Sequence, residues 1–543
     1  MENKISEIIK KLFNIDVTVQ VTRPEPEFGD YSTNIALQIA KQVGSNPRDV
    51  ASKIAEALPA EDSSIESVEV AGPGFLNIKV SQSAKLAQLR KQPLAGRLGQ
   101  TTVIETNNPN PFKAMHIGHA MNAIVADTVA NLLAVDGAQP RRVSYHGDVG
   151  LHVGKSMYSL LDYADGDIEK IKSIPVEERN TFMSKMYAEG SAAYKNDESA
   201  KLEIEELSKK SFNPGDDLYG QIYELCKTWS FEQIDSIVAR LGNVPTVARF
   251  LESQADPRGV EIVKNNTPGV FEMSDGAYIF RGSDYGGFDN AFIASNGRGL
   301  YAARDLGLMQ MKNDLFHPDK SYIVTGGEQA QYFKGVIAAA GLVDESMKGQ
   351  TVNIPTGLAK LSTGKMSSRD GDVIEINWLF DQFREAILER GGEPTDEIIV
   401  GALRYQFLKV KIGSDIIFDV NDAVSLTGNT GSYLQYAHAR ARRILEKSSK
   451  EAGFPEVINL EDEALVRKLG EYSDVVELST RTLEPHHITT YLFELAQEFN
   501  RYYESNRVVG DEKEAHRAGL VAVYADILNA GLSILGIHAP SKM

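Results

Sequence analysis

The sequence is poor in cysteine, in long apolar stretches and in positive charge, and each shortage excludes something. One cysteine, Cys226, stands in 543 residues. A chain with one thiol forms no internal disulfide and offers no cysteine cage for zinc, which fits a reducing cytoplasm. A membrane span needs about 20 mostly apolar residues. The nearest stretch, 518–537, is broken by Asp526, Asn529, Gly519, Gly531 and Gly536, so it reads as a packed helix, with no membrane partner. The N-terminus MENKISEIIKKLF lacks the apolar core of a signal peptide. Basic residues number 57 against 75 acidic, a net charge of -18. As an average this opposes a nucleic-acid partner, because phosphate binding needs positive surface.

What is present is ordinary for a large folded protein. The 42% hydrophobic and 24% charged content excludes a disordered or collagen-like chain, and the length suits three or four domains. The acidity is uneven. Residues 161–220 hold 14 acids against 8 bases, whereas 427–450 hold Arg440, Arg442, Arg443, Lys447 and Lys450 against one acid, Glu446. An acidic body with local basic tracks rejects nonspecific nucleic acid and confines a specific one to a path.

Residues 1–90 predict a small α/β unit. It has a helix over 6–13, a strand over 17–21, helical periodicity at Ile35, Ile39 and Val43, a helix over 50–58, and two strands in VEVAGPGFLNIKV. Residues 91–100 read as a linker. From 101, strands (TVIET, RRVSYH, SYIVTG) alternate with helices (119–137 and YFKGVIAAAG). That alternation predicts a Rossmann-type doubly wound parallel sheet. A polar, helical, solvated insertion interrupts it around 155–290. The catalytic region is expected over 100–375 and a connecting region over 376–423. An all-α bundle follows over 424–543, with helices at 431–449, 462–482, 487–505 and 512–536.

The strongest local signal is His116-Ile117-Gly118-His119, the letters HIGH, between a strand ending at Glu105 and a helix starting near His119. The loop between them contains Pro109 and Pro111 and is not helical throughout. A helix N-terminus offers free N–H groups and a positive dipole end to phosphate. Gly118 permits close approach of a nucleotide, and two imidazoles can donate to charge developing on an α-phosphate. Metal binding by His116, His119, His146 and His152 is a rival, but no HExxH spacing or carboxylate partner supports it. The second signal is GKMSSRDGDVI, 364–374: Lys365 neutralises phosphates, and Ser367 and Ser368 hydrogen-bond them. GDVGLHVGKS imitates a P-loop but has Val149 where the motif needs glycine, and GRGLYA is an isolated dinucleotide-like match.

HIGH followed by KMSSR resembles the class I aminoacyl-tRNA synthetases. The surrounding sequence is similar to the arginyl-tRNA synthetase family over essentially the full length: FGDYSTNIALQIAK and GPGFLN, then GDVG, YAARD and GGEQAQYFK, then GSYLQYAHARARRIL, FNRYYE and the terminal APSKM. The resemblance implies ATP-dependent attachment of L-arginine to tRNA(Arg) through arginyl-adenylate, with Mg²⁺ accompanying ATP, in a cytoplasmic monomer. It also implies that activation needs bound tRNA. Glu105, Asp305 and Tyr301 would meet the guanidinium, a planar cation suited to carboxylates and an aromatic face. Asn110, His116 and Gln329 would hold arginine's α-amino and carboxylate ends. His116, Gly118, His119 and Lys365 would bind ATP.

Two departures matter. KMSSR has Ser368 and Arg369 where class I enzymes usually end in Lys-Ser. Many arginyl enzymes share that loss and carry a lysine three residues before the first HIGH histidine, which is Lys113 here. Lys113 would supply the missing charge on the triphosphate. Val149 stands where the family often has tryptophan, which puts the packing of that strand end in doubt.

For RNA, the resemblance implies that residues 1–90 reach the tRNA elbow through Phe75 and Asn77. The bundle would read the anticodon through Tyr433, Tyr436, Arg440, Arg443, Tyr503 and Met543. The first four recur at helical spacing beside an apolar stripe of Leu434, Ala437, Ala441, Ile444 and Leu445. A tRNA-independent nucleotidyltransferase and a non-catalytic tRNA-binding paralogue remain as alternatives. The first has no use for the helical bundle, and intact HIGH, Lys113 and the acidic pair speak against the second.

Overall fold

The computed structural model describes residues 1–362 and 374–543. Lys365, Ser367 and Ser368 lie outside the described residues. The chain forms two compact units: Met1–Pro93 with Arg440–Val476 and Phe493–Ile527, and Leu94–Ala439 with Glu477–Leu492 and Leu528–Met543.

In the first unit, helices Glu2–Phe13, Ile35–Val43 and Pro47–Glu61 accompany an antiparallel sheet. Its strands are β1 Tyr31–Thr33, β2 Ile65–Ala71 and β3 Phe75–Val80, in the order β1-β3-β2. Ile5, Ile9, Ile35, Ile39, Ile54, Leu58, Leu76 and Ile78 fill its core. The Asn46 side chain accepts the Arg48 N–H at 2.9 Å, with Pro47 opening the helix, as a helix start prefers. The strand predicted over 17–21 is not formed. Val19 is buried, but only Thr22 bridges to Ser32, and Pro24 and Pro26 offer no N–H to extend a ladder.

The second unit carries, in chain order, β4 Thr101–Asn107, β5 Gln139–His146, β6 Ala248–Leu251, β7 Glu272–Ser274, β8 Ala277–Phe280, β9 Asn290–Ile293, β10 Lys320–Gly326, β11 Thr351–Thr356, β12 Ala359–Leu361 and β13 Ile416–Phe418. Five of them form a parallel sheet in the order β11-β10-β4-β5-β6. The chain starts in the middle, winds to one edge, and returns to the other side of β4. That is the doubly wound order with its switch point between β4 and β10, where such folds bind ligands. β4 is buried almost throughout, as a strand covered on both faces must be. Helix Ile117–Val135 is buried nearly all round and follows β4 directly. Its Asp127 receives Arg142 Nε at 2.9 Å and Arg404 Nη2 at 3.0 Å. Arg404, fully buried, also donates to the Leu241 carbonyl at 2.9 Å and the Leu535 carbonyl at 2.8 Å.

The expectation of a merely solvated insertion needs correction. Between β5 and β6, helices Leu151–Ala164, Arg179–Asn196, Glu198–Lys210 and Leu218–Arg240 enclose a core of their own. Met157, Leu160, Met183, Met186, Tyr223 and Cys226 are buried in it. The acidic excess hid this because it lies on the outward faces of amphipathic helices. The small antiparallel sheet β7-β8-β9 follows.

Beyond residue 424 the described chain is helical: Gly431–Lys447, Glu463–Leu469, Tyr472–Thr482, His486–Ser505 and Glu514–Ile534. The one helix predicted over 462–482 is two, parted at Gly470, a residue that weakens helices. Helix Glu514–Ile534 is long and apolar enough to cross a membrane by composition, but 67% of its most apolar window is buried within the protein, as a packed helix requires.

Candidate active site

The loop leaving β4 is held by side chains where strand pairing stops. Asn108 Oδ1 accepts the Tyr145 N–H at 2.9 Å, and Asn110 Oδ1 accepts the Gly147 N–H at 2.9 Å. His146 Nδ1 donates to the Pro109 carbonyl at 2.6 Å. Phe112 then takes a left-handed backbone (φ 65°) and buries its ring completely in the insertion core, 5.4 Å from Tyr223. Its N–H donates to Ser230 Oγ at 3.0 Å and its carbonyl accepts from Ser156 Oγ at 2.8 Å. A bulky residue at positive φ is uncommon, and here three fixed contacts hold it. The anchor presents Lys113 next door.

His116 caps the helix. Its Nδ1 accepts the Gly118 N–H at 3.2 Å, while His119 Nδ1 accepts the His116 N–H at 3.3 Å. The rings stack 3.6 Å apart. A ring nitrogen that accepts carries no proton, so each neutral imidazole has its N–H at Nε2. Burial and nearby Lys113 push His116 down to about 4, and burial, His116 and Lys113 push His119 well below its ordinary value. Both rings are therefore neutral donors at a helix N-terminus. The helix starts at Ile117, two residues before the predicted start.

Three cavities meet here. One, of about 540 Å³, is lined by His116, Gly118, His119, Thr356, Gly357 and Ala359 among others. Gly357 is required there because a Cβ would stand 2.3 Å from the Ser414 carbonyl oxygen. The second, of about 460 Å³, lies at the switch point and is acidic, with Glu105, Glu252 and Asp305 in its walls beside Asn110, Tyr145, Tyr301, Gln329 and Tyr332. The third, of about 580 Å³, faces the insertion and is lined by Lys113, Lys155, Lys209, Arg298 and Arg304 with Tyr194, Tyr301 and Phe212.

In the acidic cavity, Glu105 Oε1 accepts Lys312 Nζ at 2.6 Å and Oε2 accepts Asn108 Nδ2 at 2.7 Å. Glu252 pairs with Arg304 Nη1 at 2.9 Å. Among the described residues Asp305 receives only the Tyr332 hydroxyl, at 2.5 Å. Burial, aided by Glu105 and Glu252, pushes the Asp305 carboxyl up to about 7 against the pull of Tyr332 and Lys312. The Tyr145 hydroxyl is buried without a partner among the described residues. A cavity with an unmatched carboxylate and an idle hydroxyl suits a cationic ligand with several donors.

Of the sequence-predicted residues, Glu105, Asn110, His119, Tyr301, Asp305 and Gln329 share the acidic cavity. His116, Gly118, His119 and Gln329 share the neighbouring one. His116 lines only the latter, and Lys113 lines the insertion-side cavity, where burial and Lys155 lower its affinity for a proton and Glu252 raises it. Val149 is buried at that cavity's wall. Among the described residues no cluster of three or more His, Cys, Asp or Glu could hold a metal. On β3, Phe75 is exposed, and the Asn77 amide oxygen accepts Ser32 Oγ at 2.9 Å. Arg440 Nη1 donates to Asn500 Oδ1 at 3.2 Å, and its guanidinium lies 4.8 Å from the Tyr503 ring. On helix Gly431–Lys447, Tyr436 and Arg443 are exposed while Tyr433 is half-buried. Met543 is exposed.

Sequence reasoning missed Phe112, Tyr145, Glu252, Lys312 and Tyr332. The C-terminal ends of strands were the available signal for Tyr145 at the end of β5, and Glu252 and Tyr332 follow β6 and β10 closely. For Lys312 the signal was a lysine inside the apolar helix run LGLMQMK.

A parallel sheet of this order, with HIGH capping the helix after its first strand, defines a class I tRNA synthetase. The chain matches the family "tRNA synthetases class I (R), catalytic domain" over residues 81–419. It also matches "Arginyl tRNA synthetase N terminal domain" over 1–80 and "DALR anticodon binding domain" over 434–543. It is 28% identical to the arginine–tRNA ligase of Clostridium perfringens, across 98% of this chain and 97% of that one. It is also 28% identical to that of Alteromonas mediterranea, across 100% and 99%. The solved arginyl-tRNA synthetase of Thermus thermophilus shares the fold, with a TM-score of 0.85 at 22% identity, covering 100% of this chain and 99% of that one. The chain belongs to the class I arginyl-tRNA synthetases, the enzymes that attach arginine to tRNA.

Proposed function

We propose that the chain activates L-arginine with MgATP and transfers it to tRNA(Arg) as a cytoplasmic monomer. A carboxylate oxygen of arginine attacks the α-phosphorus of ATP. The bond from that phosphorus to the bridging oxygen breaks, and arginyl-adenylate and pyrophosphate form. The 2′-hydroxyl of the terminal adenosine then attacks the arginyl carbonyl carbon, and AMP leaves. Mg²⁺ enters with the nucleotide as substrate.

One observation carries this reading: the acidic cavity and the HIGH cavity have His119, Asn122, Gly326 and Gln329 in common. A guanidinium held by Asp305 and Glu105, with Tyr301 beside it, leaves the amino acid's other end near that shared wall, where Asn110, His116 and Gln329 receive it. Nucleotide bound along His116, Gly118 and His119 brings its α-phosphorus to the same wall. Catalysis is then positioning plus stabilisation of charge by the two Nε2–H donors and by Lys113 and Lys365, with Ser367 and Ser368 on the phosphates. Residues 1–90, through Phe75 and Asn77, would hold the tRNA elbow. The region 424–543 would hold the anticodon through Tyr433, Tyr436, Arg440, Arg443, Tyr503 and Met543. The test is aminoacylation of bulk tRNA with each labelled amino acid, with and without ATP. Charging by arginine alone, and only with ATP, is expected; charging by another amino acid, or none, overturns the reading.

A further inference from the structure

We propose that Lys312 is a positioning residue for arginine's guanidinium, acting through Glu105 without touching the substrate. The inference rests on the arginine reading of the acidic cavity and assigns a role within it to a residue outside its walls.

Lys312 lies on helix Tyr301–Phe316, seven residues after Asp305. Two helical turns place both on one face, about 10 Å apart along the axis. The lysine stem therefore runs behind the cavity while Asp305 stands in its wall. Lys312 is 1% exposed, and its ammonium meets Glu105 Oε1 at 2.6 Å. Asn108 holds Oε2 at 2.7 Å. A carboxylate has about four acceptor sites, and these two contacts occupy one on each oxygen. Glu105 is thus fixed in orientation and keeps one free acceptor position per oxygen for guanidinium N–H groups.

The pair also sets the balance of charge. The charged and titratable groups around Asp305, among the described residues, are Glu105 on β4, Tyr145 on β5, Glu252 on the helix after β6, Tyr332 on the helix after β10, His119 on the helix after β4, and Tyr301, Arg304 and Lys312 on its own helix. Arg304 is committed to Glu252 and Asp256. Lys312 is the cation that offsets Glu105 beside Asp305. Without it, two carboxylates would face each other across a buried cavity, and Asp305 would hold a proton more tightly. A proton there competes directly with the guanidinium.

The experiment is Lys312→Met in the full-length enzyme, measured by aminoacylation at saturating MgATP and tRNA from pH 6 to 9. Arginine KM at pH 7 should rise about fivefold, because its pH midpoint should move up by about one unit. The kcat and the KM for ATP should stay within about twofold, and Lys312→Arg should restore both arginine readouts. A lower Tm with an unmoved arginine KM and midpoint would mean that the ion pair is only structural, and overturns the proposal. Should Lys312→Met not fold, Glu105→Gln/Lys312→Met buries no unpaired charge. At pH 9, where Asp305 is ionised in both, its arginine KM should equal that of Glu105→Gln alone, and a further rise there overturns the route through Glu105. Asp305→Asn separates the two readings: if it leaves arginine KM unchanged, the arginine cavity itself is misassigned.

Discussion

On the proposed reading of the acidic cavity, Asp305 makes arginine binding pH-dependent. In the unliganded protein its carboxyl is pushed up to about 7, chiefly by burial. The guanidinium needs the ionised form, so apparent arginine KM scales inversely with the ionised fraction. Relative to its alkaline limit, KM should be about elevenfold higher at pH 6, twofold at pH 7 and nearly unchanged at pH 8. The direction follows from the sign of the shift: KM falls as pH rises through 7. His116 does not interfere in this window, because it is already neutral from about pH 5 upward, and His119 is held well below its ordinary value. The same shift costs stability to the empty protein as pH rises from about 4 to 7, since the folded state binds the proton more tightly than the unfolded one. Asp305→Asn keeps the shape and removes the charge. Losing one partner of a buried ion pair costs about 3–5 kcal/mol, roughly two to three and a half orders of magnitude in arginine KM, and the pH dependence between 6 and 8 should flatten. Steady-state aminoacylation with arginine as the varied substrate measures both. An Asn variant within threefold of the parent, or a parent KM constant from pH 6 to 8, refutes the assignment.

Lys113→Ala should depress adenylate formation by about a hundredfold; near-normal tRNA-dependent pyrophosphate exchange would remove its role. Phe112→Ala empties a fully buried site and should cost about 3–5 kcal/mol in chemical denaturation, with kcat falling because the Lys113 backbone loses its anchor; native stability would contradict the packing account. Arg440→Ala should raise the KM for tRNA and reduce its salt dependence while leaving the KM values for arginine and ATP unchanged; an effect on arginine would place it elsewhere in the mechanism. His119→Asn keeps an acceptor near Nδ1 for the cap but no donor at Nε2. It should therefore retain Tm and lose about a hundredfold or more in kcat, and a native kcat would refute donation by His119.

The doubly wound sheet was legible in the sequence because burial on both faces leaves apolar strands such as TVIET between helical periods. HIGH was legible as a helix start, and the structure has His116 capping that helix. Glu105 was legible because it stands near the C-terminal end of β4; Asp305, expected at the end of a sheet element, lies instead in the second turn of helix Tyr301–Phe316 and was legible only through the YAARD segment. Their unequal partners were not: nothing in the spacing says that Lys312 reaches Glu105 across 207 positions of sequence while Asp305, among the described residues, gets only a tyrosine. Phe112 looked like one more loop residue between two prolines, because its burial is set by helices more than 60 residues later that enclose Tyr223 and Ser230. The insertion looked solvated because charge count averages over faces, and its core appears only when helix periodicity is read one face at a time. The break at Gly470 was a local weakness visible in the letters, but helix periodicity continues across it.

The three cavities differ in their balance of charge. Carboxylates dominate one, cations outnumber Glu205 and Glu252 in another, and the HIGH cavity pairs one glutamate and one lysine with neutral imidazole donors. Arginine carries a cation at one end and a carboxylate at the other. On the proposed reading, once the guanidinium lies against Asp305 the acidic walls repel the carboxylate, which is driven toward the boundary shared with the HIGH cavity. There His119 can donate without bearing a charge. An imidazolium in that place would attract the ground-state carboxylate and the phosphate alike, and binding both more tightly before reaction does not lower the barrier. A neutral Nε2–H binds weakly at first and gains as charge grows on the phosphoryl oxygens. The backbone hydrogen bonds at Nδ1 that cap the helix are therefore also what fixes the tautomer needed for catalysis.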